Sequence, residues 1–317
     1  MTAAVDEQNT TTTTAERKSI WKLGGLSWRT LLKHVWTEIY QGALLTHAAA
    51  LSFYFLLALF PLLLFLITML GFFTQYGTEL RAQMLSILSG VVPRSASTLI
   101  YTTVDEIGSN ADSGKLSFGL LTALWVASSG IGAISESLNA MYGVKESRPF
   151  WKVRVAAIGL TIMIAVLIIS ALLFILFGGE IGEAVANYFN QSSHFATLWT
   201  LAQVPIVLAF VLLAFALIYY FAPNVYDQKW YWITPGSIIG VLLWLLVSLL
   251  FRIYLRYFDS YSLTYGSLGA VIVLMLWFYL TGVAILIGGK INAEIENAAA
   301  NIGVPGAKHH GEKAAED

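Results

Sequence analysis

Cysteine is absent from all 317 residues, and charge is scarce: Asp, Glu, Lys and Arg together make up 12% of the chain. The first absence rules out a disulfide framework, a thiolate metal site and a cysteine nucleophile. The second falls well short of the roughly 25% charged residues of a soluble domain. Net charge is −1, so no global field draws nucleic acid or an anionic partner. The polar first twenty residues lack the short apolar core and small-residue cleavage site of a secretory signal, so none is expected.

What the chain does have is apolar length, with hydrophobic residues at 57%. A hydrocarbon core about 30 Å thick takes about 20 helical residues to cross. Six stretches meet that need: about 48–73, 116–142, 155–177, 195–221, 232–251 and 266–289. They are continuous rather than alternating, which excludes barrel strands. The expected fold is therefore all-α: a polytopic membrane helix bundle with about six transmembrane helices.

Lys and Arg sort unevenly between alternate loops. Thirteen fall on the side that would carry both termini, among them Arg17, Lys33, Arg148, Lys152 and Lys290, and five on the other. By the positive-inside rule both termini are expected in the cytoplasm, across a bacterial inner membrane. Two further segments are amphipathic. Residues 26–45 space Leu31, Val35, Trp36 and Ile39 as a helix face, with Arg29, Lys33 and Glu38 between them; this predicts an interfacial helix on the cytoplasmic side. Residues 77–110 carry two apolar stripes split by Pro93, which predicts a short helical cap on the extracytoplasmic side. One membrane domain, 26–296, would then lie between disordered tails at 1–25 and 297–317.

Polar residues inside the spans are the candidate functional groups. The second span reads WVASSGIGAISESLN, placing Ser128, Gly132 and Glu136 at i, i+4 and i+8 with Asn139 beyond. Small residues there allow close helix packing. A polar seam lining a pathway is the sharper expectation, because ionisable residues within spans usually mark one. Arg252 and Arg256 sit one turn apart at the outer end of the fifth span, amid tyrosines and phenylalanines. They would either snorkel to the interface or contact a lipid headgroup. Pro61 and Pro205 fall within spans and predict bends.

Soluble-enzyme chemistry finds no foothold. His34, His47, His194, His309 and His310 show no metal-ligand spacing with a carboxylate, and neither a phosphate loop nor a GxSxG elbow occurs. No metal, no cofactor, no nucleic-acid partner and no enzyme activity are expected; membrane lipids are the expected partners, with a homo-oligomer or envelope-assembly proteins as further ones.

Several blocks carry a resemblance. They are AAALSFYFLLALFPLLLF from Ala48, YGVKESRPFWKVRVAAIGL from Tyr142, YFAPN from Tyr220 with PGSIIGVLLWLL from Pro235, and SYSLTYGSLGAVIVLMLWFYLTGVAILIGGKINAEIE from Ser260. In that order the chain resembles the YihY/BrkB family of bacterial inner-membrane proteins, once labelled ribonuclease BN. The resemblance marks Tyr265, Gly266, Gly269, Asn292, Arg148 and Pro149 as family positions of fold-determining character. Lys290 departs from it, standing where the family usually has an acidic residue. The resemblance gives a membrane address and no settled activity. Translocation of a lipid or amphiphilic envelope component is the first expectation, a non-transporting scaffold for envelope assembly the second, and a ribonuclease a remote third.

Overall fold

A computed structural model describes Trp21 and residues 23–40, 42–73, 113–188, 193–225, 233–257, 267–304 and 307–309. The expected cap at 77–110, together with Tyr265 and Gly266, lies outside the described residues. Seven α-helices follow in order: α1 Trp28–Tyr40, α2 Ala43–Phe73, α3 Ser113–Tyr142, α4 Phe150–Tyr188, α5 Ser193–Phe221, α6 Pro235–Tyr257 and α7 Ser267–Asn301. A single 3-10 turn, Leu23–Gly25, precedes them.

The axis of the bundle is α7, which packs against α2, α3, α6, α1 and the 3-10 turn. Its 35 residues extend about 52 Å at about 1.5 Å per residue, well beyond the hydrocarbon thickness. The excess forms a protruding end on which the first turn and α1 are laid. Leu23, Leu31 and Val35 bury there against Ile291 and Ile295. Residues 23–25, expected within a disordered tail, are held because Gly24 sits with φ +59 directly on the α7 backbone. A Cβ at that position would overlap the Ile295 carbonyl and the Ala299 amide. The helix also continues to Asn301, past the expected boundary at 296.

The main core gathers Leu44, Ala48, Leu51, Ile134, Leu138, Phe215, Tyr219 and Leu286 from α2, α3, α5 and α7. Small residues set the closest approaches, as in other membrane bundles. Gly130 of α3 lies against Ala58 and Phe55 of α2. Outside this core the surface is apolar: on α6, Leu242, Leu246, Leu249, Leu250 and Ile253 are all exposed, a face that only a lipid solvent stabilises.

Among the described residues, five helices are long and apolar enough to span a membrane: α2, α4, α5, α6 and α7. α3 has 30 residues, about 45 Å, and packs along α2 and α4, so length is no obstacle. Pro61 and Pro205 both lie within continuous helices, α2 and α5. The expected amphipathic helix at 26–45 is shorter than its periodicity implied, because a turn at Gly42 separates α1 from α2 and starts α2 at Ala43.

At the junction of α6 and α7, Gly236 has no room for a side chain: a Cβ would overlap the Gly288 carbonyl and the Asn292 amide. Gly236→Ala is expected to cost about 1–3 kcal/mol by overpacking. Gly132→Ala, with open space around the new methyl, is expected to leave stability unchanged or slightly raised. Unfolding midpoints of the two variants in detergent check the contrast.

Candidate functional site

Polar side chains concentrate at the end of the bundle where α1 docks on α7, and they form two networks. The first ties the α3–α4 loop to the ends of α3 and α5. α3 stops at Gly143, where Val144 N–H returns to the Asn139 carbonyl and Gly143 N–H to the Ala140 carbonyl, the hydrogen-bond pattern of a Schellman motif. The loop then turns back so that Arg148 forks onto Glu146, with Nε to Oε1 at 2.8 Å and a terminal nitrogen to Oε2 at 2.7 Å. The same arginine donates to Ser135 Oγ at 3.2 Å and to the Ala222 carbonyl at 3.1 Å. Asn139 donates to Glu146 at 2.9 Å and accepts the Asn224 amide at 2.6 Å. Asn224 completes the knot by donating to the Lys145 carbonyl and Ser147 Oγ.

Burial pushes the Glu146 carboxyl up, but hydrogen bonds and charge from Arg148, with a further hydrogen bond from Asn139, outweigh it and hold the group below the ordinary carboxylate range. Its stabilising contribution is therefore complete above that range and is lost as pH falls through the lowered folded-state value.

The second network is ionic and joins α1 to α7. Lys290 Nζ lies 3.0 Å from Glu38 Oε2 and 3.1 Å from Glu294 Oε1. Glu294 also meets His34 Nδ1 at 2.9 Å. Lys290 and Glu294 are both buried, while His34 is nearly half exposed. Two i, i+4 pairs, His34/Glu38 and Lys290/Glu294, thus face each other, Lys290 meeting both carboxylates and His34 meeting Glu294. Lys290 finds two carboxylates there.

Asn292 accepts the Gly236 amide at 2.9 Å, and Thr234 and Ser237 exchange hydrogen bonds at 3.1 and 2.9 Å, so that the start of α6 is capped within the bundle. Of the remaining family positions, Gly269 is buried in α7, and Pro149 precedes α4, its carbonyl accepting the Lys152 amide at 2.9 Å.

The expected seam on α3 is divided by the structure. Ser128 is buried, its hydroxyl on the Trp125 carbonyl at 2.7 Å, and Asn139 is buried in the first network. Glu136 is exposed and Gly132 half-exposed. Arg148 goes to Glu146 rather than to Glu136. The outward-facing row is Trp125, Ser129, Gly132 and Glu136, which keeps Gly132 and Glu136 of the expected seam and takes Ser129 in place of the buried Ser128. Arg154 of α4 reaches across to it. Its guanidinium lies 4.0 Å from the Trp125 ring centroid, with one nitrogen 2.5 Å from the Trp125 carbonyl and another 3.3 Å from Ser129 Oγ. Arg252 and Arg256 are exposed on α6, adding no contact to either network among the described residues.

No three His, Asp or Glu residues converge as metal ligands would among the described residues. Both networks are saturated hydrogen-bond and ion-pair ties, whose role is to fix helix ends. Sequence reasoning missed Glu146, Asn224 and the His34–Glu294 contact. Only the matched i, i+4 charges on 26–45 and the last helix could have signalled the ionic tie.

A helix bundle with an apolar exterior, five membrane-length helices and a polar, ion-paired end is an integral membrane protein. The chain belongs to the Virulence factor BrkB family, whose model matches residues 35–313. Among curated relatives, a protein described as ribonuclease-like, YfkH of Bacillus subtilis, is 39% identical over 78% of this chain and 88% of its own length. UPF0761 membrane proteins of Pseudoalteromonas atlantica and Tolumonas auensis are each 26% identical, over 78% and 82% of this chain and 80% and 83% of their own lengths. No solved structure matches.

Removing the Lys290 charge leaves two carboxylates facing each other. Lys290→Met is expected to cost about 3 kcal/mol, the low end for breaking a buried pair, because Glu38 and His34 retain some solvent. Glu38→Met added to it should recover part of that loss, and unfolding of the single and double variants measures the coupling. For the first network, the stability difference between wild type and Glu146→Gln should be largest near neutral pH. It should shrink to nothing as pH falls through the lowered carboxyl value, as read from unfolding midpoints across a pH series.

Proposed function

We propose that this protein moves a lipid or amphiphilic envelope component between the leaflets of the bacterial inner membrane, with both termini in the cytoplasm. The orientation rests on the thirteen-to-five division of Lys and Arg. The reading of activity is carried by one observation: Ser129, Gly132 and Glu136 face outward from a helix of the bundle instead of inward. Because Arg148 meets Ser135, α4 begins level with Ser135 rather than with Tyr142. Glu136 therefore lies near the interface, and Gly132 and Ser129 lead one to two turns deeper. A polar row facing hydrocarbon is unfavourable unless something polar covers it. A headgroup travelling along the row, with its tails left in the bilayer, meets that condition. No covalent step is involved, so the proposal assigns no catalytic residue.

A scaffold for envelope assembly is the second reading. It is favoured by α1, whose Leu32, Trp36 and Tyr40 are exposed beside the flank that docks on α7. A partner helix or the interfacial lipid would equally cover those side chains.

Purified protein in liposomes should exchange fluorescent phospholipid or lipid-linked sugar between leaflets faster than empty vesicles. Gly132→Leu, which blocks the row, should slow exchange by about tenfold, equivalent to about 1.4 kcal/mol in barrier. Exchange no faster than in empty vesicles, across several lipid classes, would sink the translocation reading. A stoichiometric crosslinked partner through Trp36 would then support the scaffold.

A further inference from the structure

Arg154, one turn into the membrane-length helix α4, is a cation without a counter-charge among the described residues. It lies within the apolar stretch Phe150–Ile175 of α4, about 6 Å along the helix from Phe150. Its protein partners are neutral: the Trp125 carbonyl, Ser129 Oγ and the indole face. Its Nε is buried with no acceptor. No carboxylate lies within ion-pair distance of it among the described residues. The nearby arginine of the polar end, Arg148, shows the contrast, since Glu146 neutralises it in a fork.

A snorkelling arginine would run back along its own helix toward the exposed Phe150 and Trp151. This one crosses sideways to α3 and lies on Trp125, where cation–π attraction and the carbonyl hold it in place. Such a guanidinium keeps free N–H donors in a fixed plane, the geometry that matches phosphate oxygens. The surroundings select the source of that phosphate. Leu121 and Val126 of α3, with Val155, Ile162 and Val166 of α4, are exposed on the adjoining helices, an apolar wall for acyl chains.

The geometry points to Arg154, seated on Trp125 and Ser129, as a binding site for the phosphate of a membrane lipid in the outward groove between α3 and α4. The inference rests on the translocation reading for its purpose and names the substrate class as a phosphate-bearing lipid. The phosphate neutralises the guanidinium at the depth of Ser129, while Gly132 leaves space for the headgroup on the side toward Glu136. Arg154 binds; it takes part in no bond making or breaking.

The test uses the full chain in detergent, stripped of lipid and read by native mass spectrometry. The probes are dioleoyl phosphatidylglycerol, dioleoylglycerol with the same chains but no phosphate, and inorganic phosphate. Wild type should retain the phospholipid at concentrations where dioleoylglycerol is lost. Arg154→Gln should weaken retention by about tenfold or more, and Arg154→Lys, which keeps the charge but not the planar fork, by less. Equal retention of dioleoylglycerol by wild type, or undiminished phospholipid retention by Arg154→Gln, overturns the site. Displacement of the lipid by millimolar inorganic phosphate also overturns it, by assigning the groove to a soluble anion. If Arg154→Gln fails to fold, the comparison of the two lipids on wild type still decides. Binding and leaflet exchange separate the two proposals: phosphate-selective binding without exchange sinks translocation and leaves the site. Exchange without phosphate selectivity does the reverse.

Discussion

Lys290 between Glu38 and Glu294 is the contact on which the polar end of this protein depends. It exists because α7 is longer than a bilayer is thick, so its last turns leave hydrocarbon and enter a region where charge can be held if paired. Into that region the chain brings α1, whose Leu31 and Val35 bury against Ile291 and Ile295 while Glu38 and His34 meet Lys290 and Glu294. The hydrophobic contact supplies most of the attraction and the ion pairs fix its register, since a helix slipped by one turn would strand buried charge. With α1 fixed on α7, the turn at Gly42 sets where α2 enters the bundle.

The two polar networks and the outward row on α3 obey opposite rules. At the polar end strong donors and acceptors meet one another: Arg148 finds Glu146, Asn139 finds Asn224, Asn292 finds Gly236. Such saturation makes a rigid end. On the outward face of α3, Glu136 is exposed and Gly132 half-exposed, and Arg154 has neutral partners among the described residues.

Much of the bundle could be read in the residues because a bilayer permits few structures. Runs such as the one from Val155 to Phe177 have no soluble alternative, and Pro61 and Pro205 were visible as intrahelical prolines. The placement of α3's polar residues was less legible. Ser128, Gly132 and Glu136 share a spacing, yet which flank of α3 turns inward depends on where α2 presses, and Gly130 against Ala58 decides that. Arg154 reads as one more basic residue of a cytoplasmic loop; in the fold it lies on α4 and reaches the Trp125 carbonyl and Ser129. Glu146 and Asn224 are 78 positions apart in the chain and meet through Asn139, a link that no local pattern encodes.

The sequence alone determined that this is a helical membrane protein without cysteine chemistry, because hydrocarbon demands helices whose backbone groups satisfy one another within each segment, and that demand is local. It also carried the family, through blocks whose order is preserved along the chain. Tertiary structure decided which charges are paired, which face of α3 turns outward, and that Lys290 is a buried tie. Those outcomes depend on the rotation and register of one helix against another. They are set by the close contact of small residues distant in sequence, which no stretch of chain specifies by itself.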